Sequence, residues 1–132
     1  MFITDNPDYE MAAYHGSNLE VLSPSGAVVL SSLTNELGLC GIQTGKVMDF
    51  AVELYEKGIL TRDEVRYKYK LEWGDVECLA KLMKDTAYRR GIGEPLAEGT
   101  FRVARLLSEK KGVDLTKYAI QVKGIAVGAH CV

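Results

Sequence analysis

Eleven residues, "NELGLCGIQTG" from Asn35 to Gly45, gather three glycines and a cysteine between two stretches of helical character. Backbone freedom at that density suits a segment that passes close to a ligand, with Cys40 presenting a thiol toward it. It suits equally a plain helix stop at Gly38 and a turn at Gly45. The other cysteines, Cys78 and Cys131, lie too far from Cys40 and from each other for a CxxC pair, so the spacing carries no zinc or iron–sulfur motif. An odd, sparse set of thiols does not suggest a disulfide framework and is in keeping with a reducing cytoplasm. His15 and His130 each stand alone, which for histidine is more often a hydrogen-bonded or surface role than metal ligation.

These residues need elements to position them. "SPSGAVVLSSLTNELG" reads as a helix with Ser23 as N-cap, Pro24 at the first helical position and Gly38 as the left-handed stop. In "TGKVMDFAVELYEKG", Val47, Phe50, Ala51, Leu54 and Tyr55 fall on one helical stripe that ends at Gly58. Thr61 to Glu64, "TRDE", matches a capping box. "YKYKLEW" alternates weakly and could be extended. Asp75 caps the next helix, whose buried face is Val76, Leu79, Ala80, Met83 and Ala87, and Gly91 stops it. A last helix starts at Pro95, carries Leu96, Thr100, Val103 and Leu107 on one face, and closes at Gly112. The tail "YAIQVKGIAVGAHCV" is apolar and β-branched, hence extended or buried. The segment from Gly38 to Gly45 is expected to connect two helices.

With 132 residues, 47% of them apolar, the chain can fold around one core and is too short for two. A net charge of −2 with no basic run argues against nucleic acid as a partner. No apolar run approaches the roughly 20 residues of a membrane helix, and the acidic start "MFITDNPDYE" lacks a secretory core. The expectation is a mainly α, multihelical, cytoplasmic chain, one helical domain over residues 1–132. Fold alone leaves function open.

Four stretches, in order, then carry a family resemblance: "NPDYEMAAYHGSN", "NELGLCGIQTGKVMDFAVELYEKGIL", "LEWGDVECLAKLMKDTAYRRGIGEPLAEGTFRVARLL" and "YAIQVKGI". They resemble the "PEYET…GSN", D-x-x-G-L-D/C-x with its "STG", "GD…RxGIGdLLAEG" and "VKGLE" segments of the tungsten-dependent aldehyde:ferredoxin oxidoreductase family. The resemblance runs from about Pro7 to about Val127. It implies the middle helical portion of a much longer enzyme, which also carries a β-rich domain, a CxxCxxxC cluster segment and a further helical domain. The chain therefore looks like a fragment, a split subunit or a shortened relative. Its implied partners are those missing domains or a complementary subunit, and ferredoxin.

The resemblance also implies roles. Glu10 matches the glutamate near the metal-bound substrate, where a carboxylate could exchange a proton during aldehyde oxidation. As a plain residue, it could instead pair with Tyr9 at a helix start. Asn35, Gly38, Leu39 and Cys40 match the segment that hydrogen-bonds a tungsten- or molybdenum-pterin cofactor. Asn35 stands where the family has aspartate, keeping an acceptor oxygen but losing the charge. The [4Fe-4S] ligands are not in this chain. Two further departures are Ala126 in place of the glutamate after "VKGL", and "AHCV" in place of "AYDPR". The E-x-x-H iron pattern does not occur. A non-catalytic helical interaction domain, or a degenerate truncated product, is the alternative.

Overall fold

Helical periodicity organises most of the computed structural model, which describes residues 9–65 and 70–127. The helices are α1 (Tyr9–His15), α2 (Pro24–Glu36), α3 (Gly41–Glu56), α4 (Val76–Ala87), α5 (Gly93–Leu96) and α6 (Thr100–Lys111). Two short antiparallel strands follow, β1 (Gln121–Val122) and β2 (Ile125–Ala126). The expected mainly α, multihelical architecture is the observed one. His130, Cys131 and the first three residues of "YKYKLEW" lie outside the described residues; the other four, Lys70 to Trp73, form no strand.

Local capping chemistry explains most helix ends. Ser23 Oγ accepts from the Gly26 N–H at 3.1 Å, and Asp75 Oδ1 accepts from the Cys78 N–H at 3.0 Å. Thr61 and Glu64 form the reciprocal capping box, with Thr61 N–H donating to Glu64 Oε2 at 2.7 Å and Glu64 N–H to Thr61 Oγ1 at 3.4 Å. Lys111 of α6 closes on the same Glu64 at 2.9 Å. Gly38 (φ 68°) ends α2 in a Schellman arrangement: its N–H reaches the Asn35 carbonyl and the Leu39 N–H reaches that of Thr34.

Helix α3 is the axis of the bundle, packed by α1, α2, α4, α6 and β2. Of its predicted stripe, Val47, Phe50, Ala51 and Leu54 are buried and Tyr55 is half-buried. Met48 and Val52 are buried too, because α3 is covered on more than one side. Leu79, Leu82 and Met83 of α4 and Val103 of α6 complete the centre. Each fully buried side chain of this kind contributes about 1.5–3 kcal/mol.

The structure corrects four boundaries. Gly45 is no turn residue but lies inside α3, and glycine stands there because an added Cβ would sit 2.6 Å from Tyr14 Cβ of α1. The connection between α2 and α3 is therefore only residues 37–40. Helix α4 ends at Ala87 rather than at Gly91, with Arg89 (φ 52°) in the left-handed position and the Arg90 N–H closing on the Asp85 carbonyl at 2.8 Å. The buried face of α4 is centred on Leu79, Leu82 and Met83, while Val76, Ala80 and Ala87 are only half-buried. The final helix is two, α5 and α6, broken at Gly99, whose φ of 90° and ψ of 161° suit glycine alone. Helix α1 is a further element that the apolar spacing did not reveal.

Gly45→Ala is expected to lower unfolding stability by about 1–3 kcal/mol through overpacking against Tyr14. Gly38→Ala, where nothing lies within 4 Å, costs about 1 kcal/mol from the left-handed backbone alone. Urea unfolding of both variants checks the order.

Candidate functional site

The short link after α2 opens onto a cavity of about 320 Å³. One wall is the link itself and the first turns of α3: Leu39, Cys40, Gln43, Thr44 and Val47. The opposite wall is the end of α4 with Arg89, then Leu96, Ala97 and Gly99 at the α5–α6 break. Two helix starts therefore border one hollow. Cys40 is the N-cap of α3 and Gly99 the N-cap of α6, and neither supplies a side-chain cap to its helix. The first N–H groups of a helix have no intrahelical acceptor, so both starts favour acceptor atoms.

The walls hold a matching acceptor. Gln43 Oε1 is buried without a hydrogen-bond partner. It lies 3.8 Å from where a Cβ on Gly99 would be, an ordinary contact distance. A buried amide oxygen left unpaired costs about 1–3 kcal/mol, an expense repaid by a ligand N–H. Arg89 forms an ion pair with Glu98 at 2.7 Å on the outer side. Beyond it, along the outer face of α6, runs a larger groove of about 690 Å³. That groove is lined by intermixed arginines and glutamates, including the Arg102–Glu98 pair, and does not reach the glycine link.

The sequence-predicted residues divide. Leu39 and Cys40 line the cavity, and Cys40 is exposed. Gly38 shapes the link from the exposed side, and Asn35 is exposed in the last turn of α2. Neither lines the cavity. Glu10 is half-buried in the first turn of α1 and does not line it either. Its neighbour Met11 fills with its Sδ the space that a side chain on Gly41 would take. Gln43, Arg89 and Gly99 were missed. Gln43 was within reach of the sequence, since it lies one turn beyond Cys40 on α3, whereas Arg89 and Gly99 come close only through the bundle.

Glu10 belongs to a charged seam between α1 and α3. Lys46 Nζ lies 2.9 Å from Asp49 Oδ2 and 5.4 Å from the Tyr14 ring centre. Burial pushes the Asp49 carboxyl up from its ordinary range, with Lys46 opposing. Burial likewise pushes the Tyr14 hydroxyl up; Lys46 opposes this, while Glu10 and Asp49 add to it. Tyr14 donates its hydroxyl proton to the Val127 carbonyl.

His15 is fully buried beneath the start of α3. Its Nε2 lies 3.5 Å from Thr34 Oγ1, whose own proton goes to the Leu30 carbonyl at 2.8 Å, so Nε2 is the donor of the neutral ring. Burial lowers its pKa from 6.5 to about 4, partly offset by a hydrogen bond with the Gly41 backbone. Among the described residues no group of three His, Cys, Asp or Glu could hold a metal ion.

Comparison with known proteins decides the family. Residues 2–132 match the family profile described as "Aldehyde ferredoxin oxidoreductase, domains 2 & 3". The chain belongs to the aldehyde ferredoxin oxidoreductase family. It is 53% identical over 128 residues to the "Aliphatic sulfonate oxidoreductase, WOR-like subunit" of Pyrococcus furiosus, covering 97% of this chain and 20% of that protein. It is 36% identical over 128 residues to a tungsten-containing aldehyde ferredoxin oxidoreductase of Thermococcus kodakarensis, with the same coverage. A tungsten-containing aldehyde ferredoxin oxidoreductase of P. furiosus is 36% identical over 101 residues, 76% of this chain and 17% of that protein. The chain thus spans about a fifth of the length of these curated relatives. Among the described residues, no helix is long and apolar enough to cross a membrane.

His15 gives a pH test. Between pH 6.5 and about 4 the unfolded chain takes up a proton that the folded chain refuses. The stability tied to a neutral His15 is therefore full above pH 6.5 and declines as pH falls toward 4, by about 3 kcal/mol in all. The difference between wild type and His15→Gln in urea unfolding at pH 7.5 and pH 4.5 should carry this slope, separated from that of the carboxylates.

Proposed function

We propose that this chain is one helical domain of a pterin-dependent oxidoreductase that converts aldehydes to carboxylic acids, and that its Gly38–Cys40 link helps to hold the cofactor. The observation that carries the reading is the cavity beside that link, where Gln43 Oε1 is buried without a partner. A pterin edge presents both N–H donors and acceptor atoms. The orphaned Gln43 oxygen suits the donors, and the two uncapped helix starts at Cys40 and Gly99 suit the acceptors. The residues present therefore fit the group.

A tungsten- or molybdenum-pterin, when bound, supplies the two-electron redox chemistry. The chain's own residues position and shield. Leu39 presents apolar surface and backbone, Cys40 a thiol, and Gly38 sets the turn that carries both. Asn35 offers a neutral amide where the family has a carboxylate, so its hold on a donor N–H is weaker. Glu10 exchanges a proton with the substrate, and the charged seam of Tyr14, Lys46 and Asp49 lies on the same helix pair. A [4Fe-4S] cluster, which would pass electrons on to ferredoxin, would be held by polypeptide outside this chain. A cytoplasmic setting suits that chemistry.

A second reading concerns the substrate. The 53% identity to a protein named as an aliphatic sulfonate oxidoreductase subunit exceeds the 36% to the aldehyde enzymes and favours an aliphatic sulfonate.

The test is reconstitution with polypeptide carrying the family's remaining regions, followed by metal and pterin analysis and assays against aldehydes and aliphatic sulfonates. Gln43→Leu should reduce pterin retention about tenfold, in line with about 1.4 kcal/mol for one lost hydrogen bond. Asn35→Asp should tighten it and Cys40→Ser should alter it. Unchanged retention in all three variants would leave the alternative, a non-catalytic helical interaction domain.

A further inference from the structure

Strands β1 and β2 pair with Val122 opposite Ile125 and Gln121 opposite Ala126. Lys123 (φ 52°) and Gly124 (φ 83°) join them in a two-residue turn with both dihedrals positive, the type whose twist matches a hairpin. Directly paired residues share a face of a ribbon, and so do residues two apart along a strand. Ile120, Val122, Ile125 and Val127 therefore point the same way. They are 60%, 62%, 63% and 38% exposed. The opposite side of the ribbon rests on the bundle: β2 packs on α3 and α6, and Gly124 lies against Phe101. Four β-branched apolar side chains thus look outward, with Lys123 the only charge between Ile120 and Val127. The outer face of α6 is different, bearing Arg102, Arg105 and Glu109, with Glu98 just before it, as a water-facing surface should.

We propose that this outward ribbon face is the docking surface for the polypeptide that makes up the remainder of a family-length relative. It rests on the reading of the chain as one part of such an assembly. The aligned segment is 97% of this chain but 20% of the relative, so about four-fifths of the polypeptide must pack around a fold like this one. The occupant is an apolar, uncharged surface of that polypeptide, joined in one chain with this segment or held as a separate subunit. A second copy of this chain is a poor occupant. Two copies of a patch of four side chains, of order 300–600 Å² each, bury together of order 600–1,200 Å², no more than the lower bound of roughly 1,200 Å² for a stable dimer.

The experiment is co-expression of the tagged chain with the polypeptide carrying the family's remaining regions from the same genome, and capture on the tag. Wild type should retain that polypeptide in a one-to-one ratio. Val122→Lys with Ile125→Lys should lower retention at least tenfold, and the milder Ile120→Thr with Val122→Thr several-fold. Leu22→Lys, at a position 84% exposed before α2, should leave it unchanged. Circular dichroism and thermal melting confirm that each variant is folded. Retention by wild type that both ribbon variants match overturns the docking surface and leaves the assembly reading intact. No retention by wild type overturns both. A wild-type dimer in light scattering that the ribbon variants abolish assigns the face to a second copy and overturns the proposal.

Discussion

Helix α1 can lie on α3 only because α3 begins with glycines one turn apart. Met11 occupies the space of a Gly41 side chain and Tyr14 that of Gly45. This close approach has consequences on both sides of α3. On the α1 side it seals His15 beneath the helix start and gathers Tyr14, Lys46 and Asp49 into a seam. On the other side the first turns of α3 are left to face α4 and the α5–α6 break, where Gln43, Thr44 and Val47 line the cavity. A side chain at either glycine would push α1 outward and disturb the link that carries Leu39 and Cys40.

The candidate site is a place where helices stop and start rather than a cluster of reactive side chains. Its polar character comes from backbone at two uncapped helix starts and from one orphaned amide oxygen. Such a site suits a large heterocycle that brings its own chemistry, because it offers shape and hydrogen bonds and leaves the redox work to the bound group. The segment is about a fifth of its relatives' length. Each part needs only to present one wall. Arg89 shows the strain this involves: a non-glycine residue held at φ 52° beside the cavity, kept there by the α4 stop and its pair with Glu98.

The distribution of surface character follows the same logic. The bundle core is closed by α3, α4 and α6 and is stable against water on the charged outer face of α6. The ribbon after α6 is another matter, since a two-stranded hairpin is marginal in water without support. Here one side rests on α3 and α6 and the other remains apolar and open.

What the sequence by itself determined is what depends on neighbours three or four residues apart. Ser23, Asp75 and the Thr61–Glu64 box cap as read, Gly38 and Gly112 stop their helices, and the stripe of α3 points inward, because capping and amphipathic spacing are local chemistry. The family, too, was legible, because its motifs are short and lie in order along the chain. Of the residues that the motifs singled out, Leu39 and Cys40 line the cavity, while Glu10, Asn35 and Gly38 do not. Only the tertiary structure decided that Gly45 is helical, that Arg89 rather than Gly91 ends α4, that Gly99 breaks the last helix, and that Gln43 is left unpaired. The first and the last of these rest on the distance between segments far apart in sequence. Tyr14 against Gly45 and Gly99 against Gln43 are packing facts, and helical periodicity carries no information about which distant side chain will arrive.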